Sequence, residues 1–222
     1  IRPVSAISTL QIASQSAAPG AGVILPAGAT ITSFNLPAID NAGNVAYLAR
    51  WSATTPKASG TALFFNNNCS GVIGGTSALP GGSKYTAFTD PVVDGGQLLS
   101  IASLAGGTPK PPAKIIVTAF SSQVQSPLIV LTTLGQVAPD ATGAQPTGGP
   151  VFSAFRAVDI HAGVIGIFAQ LTGGTGTLKT TTATDVGLWI KNGNGPLKQA
   201  LREGQMIGSK KFDLINSTEC FC

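Results

Sequence analysis

His161 is the only histidine in this chain, and Glu203 and Glu219 are the only glutamates. General acid–base catalysis needs such groups to converge on one bond. Asp94, Asp159 and Glu203 are the set from which a polysaccharide-acting hydrolase could draw carboxylates carried on separate strands. Asp90, Asp94, Asp159 and Asp185 each read more simply as turn or cap residues that bond to nearby backbone. No Gly-x-Ser-x-Gly, His-Glu-x-x-His or Walker-type loop occurs. Asp40-Asn41-Ala42-Gly43-Asn44 resembles the start of a calcium loop but lacks the bidentate Glu that would close it. The sequence therefore nominates no catalytic residue, no cofactor-binding residue and no metal ligand.

Binding chemistry has a few more candidates. Trp51 and Trp189 could stack on sugar rings, with Asn67 and Asn194 in Asn-rich turns beside them as polar contacts, although a repeat-borne Trp more commonly packs in a core. Asn68-Cys69-Ser70 and Asn216-Ser217-Thr218 fit the acceptor pattern for N-linked glycans. Cys69, Cys220 and Cys222 make an odd count. Cys220 and Cys222 are too close for an unstrained bridge, so Cys69 with one of them is the better pair in an oxidising compartment, and three thiols the alternative. Three Cys and one remote His match no zinc spacing.

Composition limits the partners. Only 10% of the 222 residues are charged, and 13 basic against 9 acidic residues leave +4 thinly spread. A nucleic-acid surface needs a denser basic patch interleaved with aromatics, so nucleic acid is not an expected partner. No apolar run approaches the ~18 residues of a membrane span. A chain that begins at Ile1, with low charge and many Thr, Ser and Gly, reads as a processed product that is secreted or held at a cell surface.

The elements that must position these residues repeat. The segment from Phe34 through Ile39, Asp40 and Gly43 returns 54 residues later from Phe88 through Val93, Asp94 and Gly96. It returns after a further 67 residues from Phe155 through Ile160, His161 and Gly163. An alternating strand follows each copy, over Val45/Tyr47/Ala49, Leu99/Ile101/Ser103 and Ile165/Ile167/Ala169. His161 stands where copy two has Asp94, which points to a turn role. Hairpin signals come next: Thr61–Phe65 into Gly71–Gly75, Ile115–Phe120 into Leu128–Thr133, and Val186–Ile190 through Asn192-Gly193-Asn194-Gly195 into Lys198–Leu201. The pattern predicts an all-β fold of three tandem antiparallel sheet modules, propeller-like or a β-sandwich, over about 21–78, 79–138 and 139–222. Residues 1–20 form an N-terminal strand or arm. Helix is expected only as a turn near Pro196 to Glu203. Phe34, Phe88 and Phe155, with Ile39, Val93 and Ile160, are expected to be buried anchors between modules.

Ile39-Asp40-Asn41-Ala42-Gly43-Asn44-Val45-Ala46-Tyr47 and Leu79-Pro80-Gly81-Gly82 resemble the units of bacterial exported tandem-repeat proteins with an Asn-x-x-Gly-x-x-x-Phe-type core. Copies two and three are degenerate, departing at Leu98-Leu99-Ser100 and Ile165-Gly166-Ile167. The resemblance implies an exported, propeller-like β-repeat and brings no catalytic residue with it. The leading expectation is a non-enzymatic structural or adhesion protein acting through self-assembly or surface contacts. A glycan-binding module facing surface polysaccharide and a polysaccharide hydrolase are the alternatives. Three modules are too few to close a propeller ring, so a homo-oligomer is expected, six modules from two chains, or a filament if the contact does not close.

Overall fold

The computed structural model describes residue 25 and residues 28–212, except 67, 76, 78, 80, 124–126, 182 and 183. The expected N-terminal arm over 1–20 therefore lies outside the described residues. The chain is all-β, in several antiparallel sheets, none closed into a barrel among the described residues. No helix among them is long and apolar enough to cross a membrane.

The first sheet holds β1 (Thr30–Phe34), β2 (Ala38–Ile39), β3 (Val45–Thr54), β4 (Lys57–Phe65) and β5 (Asn68–Val72), in the order β1-β3-β4-β5 with β2 also on β3. The second repeats this with β6 (Lys84–Phe88), β7 (Val92–Asp94), β8 (Gln97–Ala105), β9 (Lys114–Phe120) and β10 (Ile129–Thr133), in the order β6-β8-β9-β10 with β7 on β8. The third runs β11-β12-β13-β14, from β11 (Pro150–His161), β12 (Val164–Gly173), β13 (Val186–Asn192) and β14 (Lys198–Arg202). A small hairpin, β15 (Met206–Ile207) with β16 (Lys210–Lys211), follows.

One residue explains why the entering strand is broken in two modules and whole in the third. Three residues after the motif Phe stand Pro37 and Pro91, which lack the N–H a ladder needs, so β1 stops before β2 and β6 before β7. Val158 takes that place in copy three, and β11 runs on for 12 residues with register shifts at Ser153 and Arg156. The expected helical turn near Pro196 is absent. Lys198–Arg202 is strand β14, because the exposed edge of β13 pairs it through Leu188 and Leu201. The helical residues among those described are instead a short 3₁₀ turn at Gly176–Leu178.

The three sheets stack. Ala46, Leu48, Leu63 and Phe65 of the first pack on Leu98, Ala102, Ile115 and Val117 of the second. Leu99, Ile101 and Ile116, on the opposite face of the second, pack on Ile165, Ile167, Ala169 and Trp189 of the third. A face directed at the following sheet is called the front here, and the opposite one the back. The first interface is tight at Gly71, where a Cβ would lie 2.7 Å from Leu128 Cδ1 and 2.9 Å from Phe88 Cζ, so a larger residue there has to push these side chains aside.

The anchors divide by position. Phe88 and Phe155 are buried on the back faces of the second and third sheets, and Ile160 and the half-buried Val93 beside them pack in the same interfaces. Phe34 is 40% exposed and Ile39 64% exposed, contrary to the expectation that all six are buried. The cause is their place in the stack: motif residues face backward, and no sheet among the described residues precedes the first. Phe34 keeps an edge contact with Tyr47, ring centroids 5.7 Å apart. Truncating Phe88 or Phe155 to Ala should cost about 3–5 kcal/mol in urea unfolding, the usual range for a buried Phe. Phe34→Ala should cost under about 1.5 kcal/mol, because less apolar area leaves water there. Equal losses at all three sites would contradict the stacking order.

Candidate functional site

The turns that close the motif hold the sheets in register. Asp40 sits at the turn between β2 and β3, and its Oδ1 accepts the amides of Ala42 (2.9 Å) and Asn44 (2.8 Å). Its Oδ2 accepts Asn44 Nδ2 at 2.8 Å and reaches the next module at the Gly96 amide, 2.9 Å away. Gly96 has φ +75° and lies in the turn between β7 and β8, so a left-handed glycine points its N–H back at the first sheet. The same bond recurs one module on, where Asp94 Oδ2 accepts the Ala162 amide at 2.5 Å. β7 lies against β2 and β3 on one side and β11 on the other, so these turns form one edge of the stack. The third copy carries His161 at this position, exposed. Asp40 is buried, which opposes its charge, but the Gly96, Asn44 and Ala42 donors outweigh that and hold its pKa below 3.8.

The candidate catalytic carboxylates do not converge. Asp94 is committed to the Ala162 amide, and Asp159 Oδ1 accepts the amide of Ile160 at 2.8 Å. Asp159 pairs with Gly166 at one end of the third sheet, whereas Glu203 bonds the Val186 carbonyl at the other. No group of three or more His, Cys, Asp or Glu residues is placed to hold a metal among the described residues. Asp94 bonds the turn after β11, whereas Asp159 lies within β11 and not at a turn or cap.

The tryptophans are packing residues, which corrects their place as sugar platforms. Trp189 is fully buried between the second and third sheets, edge-on to Phe152 at 4.9 Å, and its Nε1 donates to the Pro139 carbonyl at 2.9 Å. Trp51 is buried on the back of the first sheet with Tyr47 and Phe64, which stack at 5.1 Å. Neither offers a ring face to solvent. Asn194 is exposed in the turn between β13 and β14, while Asn67 lies outside the described residues. Cys69 is buried and directs its thiol at the Gly71 carbonyl, 3.8 Å away. Cys220 and Cys222 lie outside the described residues, and with them the disulfide expectation.

The family model of DUF7453, described as a family of unknown function, matches residues 5–220. This chain belongs to that family. No curated protein and no solved structure is matched by the chain. Family membership thus brings no activity with it, and the functional reading rests on geometry.

Two surface features of the third sheet were not evident in the sequence. An open groove of about 640 Å³ is lined by Ser153, Gln170, Thr172, Thr180, Thr181 and Asp185, with Ala154 and Leu171. Arg156 Nη2 donates to Gln170 Oε1 (2.9 Å) and Gln170 Nε2 to Asp185 Oδ2 (2.8 Å), so its polar groups are already ordered. Beside Asp185, Arg202 is lowered in pKa by burial, offset in part by that carboxylate. The second feature is the front face of the sheet. Along β12 half-buried and buried positions alternate from Val164 to Leu171, whereas in β8 five successive residues, Leu98 to Ala102, are buried. Among the described residues the second sheet has a sheet packed on each side, and the third has one on its back.

The inter-module carboxylate bond makes a testable claim. Asp40→Ala strands the half-buried Gly96 amide and should cost about 1 kcal/mol at pH 7. A carboxyl with a folded pKa below its unfolded 3.8 contributes stability above pH 3.8 and loses it as pH falls through the folded value. The gap between wild type and Asp40→Ala in urea melts should therefore narrow as pH drops below 3.8. A gap that stays constant down to about pH 2 would refute the charged bond.

Proposed function

We propose that this chain is an exported, non-enzymatic structural or adhesion module that works by assembling through its β-sheet faces. The observation that carries this reading is the front face of the third sheet, where Val164, Gly166, Phe168 and Gln170 are half-buried. In the first two sheets the equivalent face is the one that seats the next module. Low charge and a Thr-rich, Gly-rich surface support an extracellular setting, where no dense charge is needed to hold nucleic acid or an anionic membrane. The stacked repeat supports a mechanical role, since each sheet is stabilised chiefly by its neighbours.

Light scattering on the full chain in native buffer, with and without reductant, tests the reading. It expects a mass that is a multiple of 22.3 kDa and that survives reduction. One chain mass in both conditions, at concentrations up to about 100 μM, would contradict assembly, since specific interfaces commonly bind more tightly than that.

The hydroxyl, amide and carboxylate groove beside Asp185 favours a second reading, a module that binds neutral polysaccharide without an aromatic platform. Hydroxyl-rich sites exchange hydrogen bonds with sugar hydroxyls at little net cost. A glycan array should then give hits that Asp185→Ala removes. Binding that persists in Asp185→Ala, or an array with no hits, would exclude this groove.

A further inference from the structure

We propose that the groove on the third sheet holds a neutral sugar by a vicinal diol, with Asp185 accepting both hydroxyls and Arg156 positioning that carboxylate through Gln170. This rests on the polysaccharide reading above and adds the contacting group, the part of the sugar it recognises and the residue that sets its geometry.

Three segments build the groove. Ser153 comes from β11, Gln170 and Thr172 from β12, and Asp185 from the connection to β13. Its open space is about 640 Å³, and Ala154 and Leu171 are its apolar lining residues. Small-molecule sites of that size are lined mainly by apolar and aromatic side chains. A lining of hydroxyl, amide and carboxylate groups instead suits a ligand covered in hydroxyls.

The centre of the groove is ordered by a chain of two hydrogen bonds. Arg156 Nη2 donates to Gln170 Oε1 at 2.9 Å, and Gln170 Nε2 donates to Asp185 Oδ2 at 2.8 Å. A guanidinium only donates and a carboxylate only accepts, so the amide between them has one permitted orientation. The Asp185 backbone is fixed as well, because its carbonyl accepts the Leu171 amide at 2.5 Å. Asp185 Oδ1 has no hydrogen-bond partner among the described residues, and neither have the hydroxyls of Ser153 and Thr172. Arg156 is exposed and lies outside the groove lining, so it acts on a ligand there through Gln170.

The charges decide the ligand class. Arg202 stands beside Asp185, tied by its Nε to the Thr184 carbonyl at 2.7 Å. A cationic ligand group at Asp185 would meet Arg202 as well, with Arg156 one amide away, and an anionic group would meet the carboxylate. A neutral hydroxyl pair meets neither penalty. A carboxylate offers about four acceptor positions on its two oxygens. Gln170 takes one of them. Two adjacent hydroxyls can therefore both donate to Asp185. An alkylated diol has no proton to give, and the site separates hydroxyl from ether on that ground.

The test is titration calorimetry of the full chain, with circular dichroism to confirm folding. The probes are the β-1,4-linked hexasaccharides of glucose, mannose, galactose and xylose, each with a free 2,3-diol on its internal units, and their O-methylated forms. Wild type should bind at least one free sugar with Kd below about 1 mM and none of the methylated ones. Asp185→Ala should weaken binding at least about tenfold, the loss of hydrogen bonds to a charged group. Arg156→Met should weaken it about fivefold, whereas Arg156→Lys, which keeps a donor for Gln170, should stay within about twofold of wild type. Arg156 is an exposed site, so its pair of variants still decides the matter if Asp185→Ala does not fold. Methylated sugars that bind as well as free ones would overturn the diol, and Arg156→Met binding that is unchanged, or not restored by Arg156→Lys, would overturn the positioning role. Both results leave the groove as a polysaccharide site. Binding that survives Asp185→Ala would overturn the groove itself, and a wild type that binds none of the four free sugars would overturn the polysaccharide reading with it.

Discussion

Leu98 and Leu99 are neighbours in β8, point to opposite sides of the second sheet, and are both fully buried. A strand can tolerate that only if each of its faces has a sheet on it, and the whole chain is arranged to supply those sheets. Ala46, Leu48 and Phe65 close one side, and Ile165, Ile167 and Trp189 the other. At about 25 cal/mol per Å² of apolar surface, each such interface outweighs any single hydrogen bond in the chain. Directionality has to come from elsewhere, because apolar burial is indifferent to small slides of one sheet over another. The Asp40–Gly96 and Asp94–Ala162 bonds provide it, each linking one turn to the turn of the next module.

The repeat made the architecture readable. Three motif copies, Gly-bearing turns and alternating strands are local signals, and each reports on backbone that forms next to it in sequence. The β13–β14 hairpin was legible for this reason from its Asn-Gly turn and flanking apolar runs. What misled was context. In β8 the run Leu99/Ile101/Ser103 was read as the counterpart of Val45/Tyr47/Ala49, although the motif alignment matches Leu98/Ser100/Ala102 to those residues. A strand buried on both faces has no polar side to set its phase, so alternation cannot choose between the two sets. Phe34 failed as an anchor for a related reason: its side chain is equivalent to Phe88 and Phe155, but no sheet among the described residues lies behind the first, and Phe34 is 40% exposed.

The site residues were legible to a lesser degree. That Asp94 and Asp159 bond backbone follows from side-chain chemistry alone, and the structure places both on backbone amides, Asp159 from within β11 rather than at a turn. The span of the Asp40 and Asp94 bonds between modules does not follow, because nothing in a short window tells which turn will lie alongside. The signal available was an Asp six residues after the motif Phe in two copies, with His161 breaking the series in the third. Trp51 and Trp189 show the opposite difficulty, since an indole suits a sugar or a core equally well until its neighbours are known.

The account depends on sheets that stack in a fixed register through carboxylate-to-turn bonds, and backbone amide exchange reads those bonds directly. Gly96 and Ala162 both sit in short turns between strands, where an uncommitted N–H exchanges at nearly the unstructured rate. With their protons held by Asp40 and Asp94, both should exchange at least about a hundredfold slower than that rate at neutral pH. Resonances of Gly96 and Ala162 that exchange as fast as unstructured peptide would show that the turns are not interlocked, and the stacking order built on them would fall.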